Sequence, residues 1–61
     1  MVEIELERLL NKTVRLIKAD GYVKIGVLRH INASFIEIVY SDGKFEIVPF
    51  SQIKSVMAVE A

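Results

Sequence analysis

VRLIKADGYVKIGVLRHINASFIEIVYSDGKFEIVPFSQIKSVMAV, residues Val14 to Val59, decides the fold. Five short apolar runs are separated by turn residues. Thr13 to Ala19 alternates Val14 and Leu16 against Arg15 and Ile17, the period of a strand with one buried face. Asp20-Gly21 follows, and Ser41-Asp42-Gly43 recurs further on. Asp-Gly accepts the positive φ of two-residue hairpin loops, so both sites are expected to join adjacent antiparallel strands and set their register. Tyr22 to Ile31 is a long second strand, with Val23, Ile25, Val27, Arg29 and Ile31 on one face and Tyr22, Lys24, Gly26, Leu28 and His30 on the other. Gly26 interrupts it, as glycine does at a bend or a close backbone approach.

Asn32-Ala33-Ser34 is a polar turn, and Phe35 to Tyr40 is apolar on both faces apart from Glu37. Lys44 to Val48 makes a fourth strand. It stops at Pro49, which has no amide to give a ladder and belongs at an edge or an end. Phe50-Ser51-Gln52 suits one 3₁₀ turn, and Ile53 to Val59 makes the fifth strand. Upstream, Val2, Leu6, Leu9 and Leu10 share one face at helical spacing, with Glu3, Glu5 and Glu7 near the start of the segment and Asn11-Lys12 at its end. The spacing predicts an N-terminal helix, although the alternation of Ile4 and Leu6 also fits a strand. The expected fold is mainly β: one domain over residues 1–61, an N-terminal helix plus a strongly bent five-stranded antiparallel sheet.

A chain of 61 residues buries only about 60% of the surface it exposes when unfolded, so its own core is small. Short domains compensate with disulfides, a metal or oligomerisation. With no cysteine and one histidine, neither a disulfide nor a zinc site is available to the chain alone. Self-association remains, and a hydrophobic fraction of 52% supplies the surface for it. The third and fifth runs are apolar on nearly both faces. A fourth strand of one subunit paired with the fifth of the next would cover two edges at once. Eight basic and eight acidic residues balance, which argues against a non-specific nucleic-acid coat but not against a local basic patch. No apolar run reaches the length of a membrane span, and the N-terminus carries no basic leader region, so a cytoplasmic location with no membrane partner is expected. No serine or threonine has a recognisable base and orienting group nearby, so no catalytic residues, enzyme activity, cofactor or small-molecule substrate are expected.

Gly26-Val27-Leu28-Arg29-His30-Ile31-Asn32-Ala33-Ser34-Phe35-Ile36-Glu37-Ile38 resembles the central motif of the Sm-like family of small SH3-like barrels. Gly26, Leu28, Ile31 and Phe35 match its structural positions, and the likeness extends over roughly residues 4–58. The resemblance implies an N-terminal helix, a bent five-strand sheet, a homo-oligomeric ring and binding of single-stranded RNA near a central pore. It also has departures. Asn32 stands where the family carries Asp, Ile36 where a base-contacting Asn is expected, and Ser34 where many members carry an aromatic or histidine that stacks on a base. Val48-Pro49-Phe50 replaces the family's Ile-Arg-Gly, and the aromatic-Lys-His of the bacterial RNA-chaperone branch is absent too.

The candidate RNA contacts are Arg29, His30 and Asn32 after the second strand, with Phe50 and Ser51 after the fourth. Each has an ordinary alternative. His30 also suits a strand end, Asn32 can cap its own turn, and Phe50 can be a core or subunit-contact aromatic. Arg29, Arg15 and Lys24 could line one basic face, or be solvated strand charges. Glu37 and Glu46 could face each other across strands. The competing function is a ring-forming or protein-interaction module that has lost RNA binding.

Overall fold

The computed structural model describes residues 6–59. They form one five-stranded antiparallel sheet: β1 (Thr13–Lys18), β2 (Val23–Ile31), β3 (Phe35–Val39), β4 (Phe45–Pro49) and β5 (Ile53–Ala58). The order across the sheet is β4-β3-β2-β1-β5, so β4 and β5 are its two edges. The 3₁₀ turn Phe50–Gln52 links those edge strands.

The expected N-terminal helix is not found among the described residues, and its first part, residues 1–5, lies outside them. Leu6 and Glu7 are helical, but the chain then tightens. The amides of Leu9, Leu10 and Lys12 donate to the carbonyls of Leu6, Glu7 and Leu9, three residues back rather than four. Asn11 closes the segment in the left-handed conformation at φ 66°, which asparagine tolerates better than most residues. Leu6 is nevertheless buried and Leu9 packs on the core, while Leu10 points outward.

The first hairpin carries one residue more than expected, and the second has the three-residue loop that the sequence placed between Tyr40 and Lys44. In the first, the Gly21 amide donates to the Lys18 carbonyl at 2.9 Å and the Lys18 amide to the Tyr22 carbonyl at 2.8 Å. In the second, the Gly43 amide donates to Tyr40 at 3.0 Å and the Tyr40 amide to Lys44 at 2.8 Å. Each loop is therefore three residues, Ala19-Asp20-Gly21 and Ser41-Asp42-Gly43, with positive φ only at the glycine. The aspartates serve differently from the expectation. Asp20 Oδ1 accepts from the Tyr22 amide and Asp42 Oδ1 from the Lys44 amide, each two residues on.

The inner face of the sheet carries the core: Val14, Leu16, Leu28, Ile36, Ile38 and Val48 are fully buried, with Leu6 beside them. Val14 and Leu16 occupy the buried face read for β1. In β2 the two-residue alternation fails at one point. Leu28 pairs with Ile38, but His30 pairs with Glu37 and Ile31 with Ile36, so Arg29 is the extra residue of a bulge. The bulge shifts the phase and brings Ile31 to the same side as Leu28, against the core. The expectation that Ile31 shares a face with Val23, Ile25 and Val27 is therefore corrected.

Gly26 is a site of close approach. A Cβ there would lie 2.6 Å from Ile38 Cγ2 and 2.7 Å from the Val39 carbonyl oxygen. Gly26 pairs with Val14 in the middle of β2, where the sheet folds over its own core. The curl shows in a contact between distant strands. Lys18 Nζ lies 2.5 Å from Glu46 Oε2, and the Tyr40 hydroxyl donates to Glu46 Oε1 at 2.6 Å. In a flat sheet, three strand spacings of about 4.8 Å would hold β1 and β4 roughly 14 Å apart. Glu46 shares its row with Ile38 and Leu28, at the end of β2 that leads away from Lys18. The ion pair thus runs diagonally across the inner face, as the stagger of a rolled, barrel-like sheet requires.

Gly26→Ala is expected to destabilise the chain by about 1–3 kcal/mol, and Gly26→Val by more, because each added carbon meets a backbone carbonyl that cannot swing away. Urea unfolding followed by circular dichroism measures this. An unchanged midpoint in Gly26→Val would show that β2 and β3 do not approach there as described.

Candidate nucleic-acid interface

The β2–β3 loop is built around one side chain. Asn32 Oδ1 accepts from the amides of Ser34 at 2.8 Å and Phe35 at 2.9 Å, and the Asn32 amide donates to the Phe35 carbonyl at 3.1 Å. Asn32 therefore caps its own turn, the second of the two roles weighed for it. Its acceptor oxygen is taken up by the backbone, which leaves only the Nδ2 donors to face a ligand. An aspartate in this position supplies the same acceptor, so the exchange of Asp for Asn keeps the loop's geometry.

The β4–β5 turn sits directly against this loop. The Phe50 amide donates to the Ser34 carbonyl at 3.0 Å, and Phe35 pairs with Pro49. Phe50 is half-buried and packs on the core, while Ser51 is exposed beside it. The two loops that carry the candidate contacts are thus joined by a backbone hydrogen bond. His30 is exposed on the outer face, its ring 6.2 Å from that of Phe35 and tilted by 38°. Arg29, lifted out of the ladder by the bulge, is exposed next to it and lines a shallow groove with His30, Ile31, Leu10 and Glu7. Arg29 and His30 form one pair, and Asn32, Phe50 and Ser51 cluster at the joined loops. Ile36, at the position where the resemblance expects a base-contacting Asn, is fully buried and unavailable to any ligand.

Two charge groupings read from the sequence are not formed. Arg15 pairs with Ile25 on the outer face, whereas Lys24 pairs with the buried Leu16 on the inner one, so the two do not share a basic face. Glu37 pairs with Ile47 and Glu46 with Ile38, on opposite faces of the sheet. Instead Glu46 joins Lys18 and Tyr40 at the open end of the rolled sheet, a cluster that sequence reasoning missed. The hydrogen bond from Lys18 holds the Glu46 carboxyl below its ordinary range, with help from Tyr40 and the nearby charge of Lys24. The Glu46 contact in turn raises Lys18. Burial, then the bond to Glu46 and the charge of Asp42, push the Tyr40 hydroxyl well above its usual value. A tyrosine so shifted stays protonated and acts as a donor rather than a base.

Among the described residues no group of three or more His, Cys, Asp or Glu side chains is placed to hold a metal ion, and no helix is long and apolar enough to cross a membrane. No family model matches the chain, and no curated protein matches it significantly.

Two predictions follow from the polar contacts. Asn32→Ala should cost about 1 kcal/mol by leaving the Ser34 and Phe35 amides without their acceptor, while Asn32→Asp should be close to neutral. Thermal melts of the two variants check this, and equal melting temperatures would contradict it. For Glu46 the folded-state pKa lies below its ordinary value of 4.5. Its contribution is therefore present above that value and is lost as the pH falls through the depressed one. Wild-type stability in urea should drop below about pH 4.5, and Glu46→Gln, about 1 kcal/mol weaker at pH 7, should show a flatter acid limb.

Proposed function

We propose that the chain is a subunit of a homo-oligomeric Sm-like ring that binds single-stranded RNA weakly, through Arg29 and His30 with the joined loops around Asn32, Phe50 and Ser51. The observation that carries the ring is the pairing of free edges with apolar side chains. β4 and β5 each have one neighbour in the sheet, and both expose large apolar residues: Phe45 and Ile47 on β4, Met57 on β5 and Val59 just after it. Two such edges on one chain are complementary in a head-to-tail sense, and head-to-tail contacts close into a ring when the rotation permits. Met57→Asp, which puts a charge into an apolar edge contact, should break the assembly without touching the core.

The RNA part rests on the hydrogen bond between Ser34 and Phe50, which holds the two candidate loops together, and on the exposed Arg29, which lines a groove with His30. Phosphate contacts from a few cations give salt-sensitive affinity, and stacking on a ring contributes about 1–3 kcal/mol per base without choosing among bases. Repetition around a ring multiplies such weak contacts. A second reading, a ring or interaction scaffold without RNA binding, is favoured by the same loops. Asn32 spends its acceptor on its own turn, Phe50 packs on the core, and Ile36 is buried.

Fluorescence anisotropy with labelled oligo-U and oligo-A separates the two. The RNA reading predicts binding of both strands at low salt, a steep fall toward physiological salt, and loss in Arg29→Ala/His30→Ala with the oligomer intact. Absence of binding to either strand at low salt leaves the scaffold reading. Tight, uridine-selective and salt-resistant binding would contradict the account of the loops.

A further inference from the structure

The Lys18–Glu46–Tyr40 cluster has a position that its size does not suggest. Glu46 lies on β4, an edge of the sheet, with side chains pointing alternately inward to the core and outward. Val48 is its buried neighbour on the inner side; Phe45 and Ile47 are exposed on the outer. In the ladder, β4 is held by β3 alone. The carboxylate of Glu46 adds a second anchor from the far side of the barrel. One oxygen takes the Lys18 ammonium from the end of β1, and the other takes the Tyr40 hydroxyl from the entrance to the β3–β4 hairpin.

Both anchors are themselves fixed. The Lys18 backbone closes the first hairpin through Tyr22, and the next residue, Ala19, donates its amide to the Gln52 carbonyl of the 3₁₀ turn. Tyr40 closes the second hairpin and packs against the core. A strand held on one side by a ladder can still pivot about it. A strand also tied across the barrel pivots less.

We propose that this clamp sets the angle at which β4 is presented, and that Glu46 and Lys18 are positioning residues for edge pairing with a second copy of this chain. The inference rests on the ring reading above and deepens it. A head-to-tail contact closes only at the rotation its two edges define. On this chain β5 is oriented by β1, and β4 is oriented relative to β1 by the Lys18–Glu46 bond. The 3₁₀ turn joins the two edges at the end of β4, and the ion pair adds a second link further along that strand, at Glu46. Neither residue need lie in the interface itself. Lys24, the other cation acting on Glu46, contributes through its charge and makes no hydrogen bond to it.

The test compares the full chain with Glu46→Gln, Lys18→Met and the reversed pair Lys18→Glu/Glu46→Lys. Sedimentation velocity reads the mass, and peptide-level hydrogen exchange reads residues 45–49. Glu46→Gln keeps the side-chain volume and an acceptor for Tyr40, so the chain should fold. The expected result for both single variants is faster exchange over residues 45–49 and subunit association weakened by about threefold to fivefold, the scale of one exposed ion pair. The reversed pair should recover most of both. If the wild type assembles and the single variants match it in mass and exchange, the clamp has no role in assembly and this proposal falls while the ring stands. A wild type that is monomeric at every concentration removes the ring reading and this proposal together.

Discussion

The approach of β2 to β3 at Gly26 is the contact on which the rest of the molecule depends. A five-stranded sheet this short encloses a core only if it rolls, and β2 is the strand that must bend for both halves. With the Ile38 methyl and the Val39 carbonyl inside van der Waals range of any added carbon, glycine alone lets the two backbones close. Three residues later the Arg29 bulge resets the alternation, so that Leu28 and Ile31 both reach the core. Roll and bulge together bring edge strand β4 within reach of Lys18 and expose Arg29 and His30 on one corner.

Much of this was legible because it is local. Alternation in β1 identified Val14 and Leu16, Pro49 marked the end of β4, and the two Asp-Gly pairs marked the hairpins. What was misread needed information from outside the segment. The third residue of the first loop, Ala19, has no signature of its own, and loop length emerges from which amide meets which carbonyl. The bulge at Arg29 leaves no trace in a run that alternates plausibly without it, so Ile31 was assigned to the wrong face. The bond between Lys18 and Glu46 joins residues 28 apart and exists only because the sheet curls. The N-terminal apolar spacing was real in its effect, since Leu6 and Leu9 do turn inward, but turns rather than an α-helix deliver them among the described residues.

For the candidate site, the sequence located the loops and left the roles of their residues open. Asn32, Phe50 and Ile36 each turn out to serve the fold: one caps a turn, one packs on the core, one is the core. Polar groups satisfied internally offer little to a ligand, whereas the exposed pair Arg29 and His30 keeps its surface. The proposed assembly therefore has more behind it than the proposed affinity for a single strand. The apolar residues on the outer side of β4 and β5 carry the larger share of that argument, because they are exposed among the described residues.

The account stands or falls on whether those two edges pair. Native mass spectrometry of the purified chain across a range of concentrations tests this most directly. A single closed oligomeric species that Met57→Asp converts to monomer is the predicted result. A folded monomer at micromolar and higher concentration, with Met57→Asp indistinguishable from it, would contradict the account.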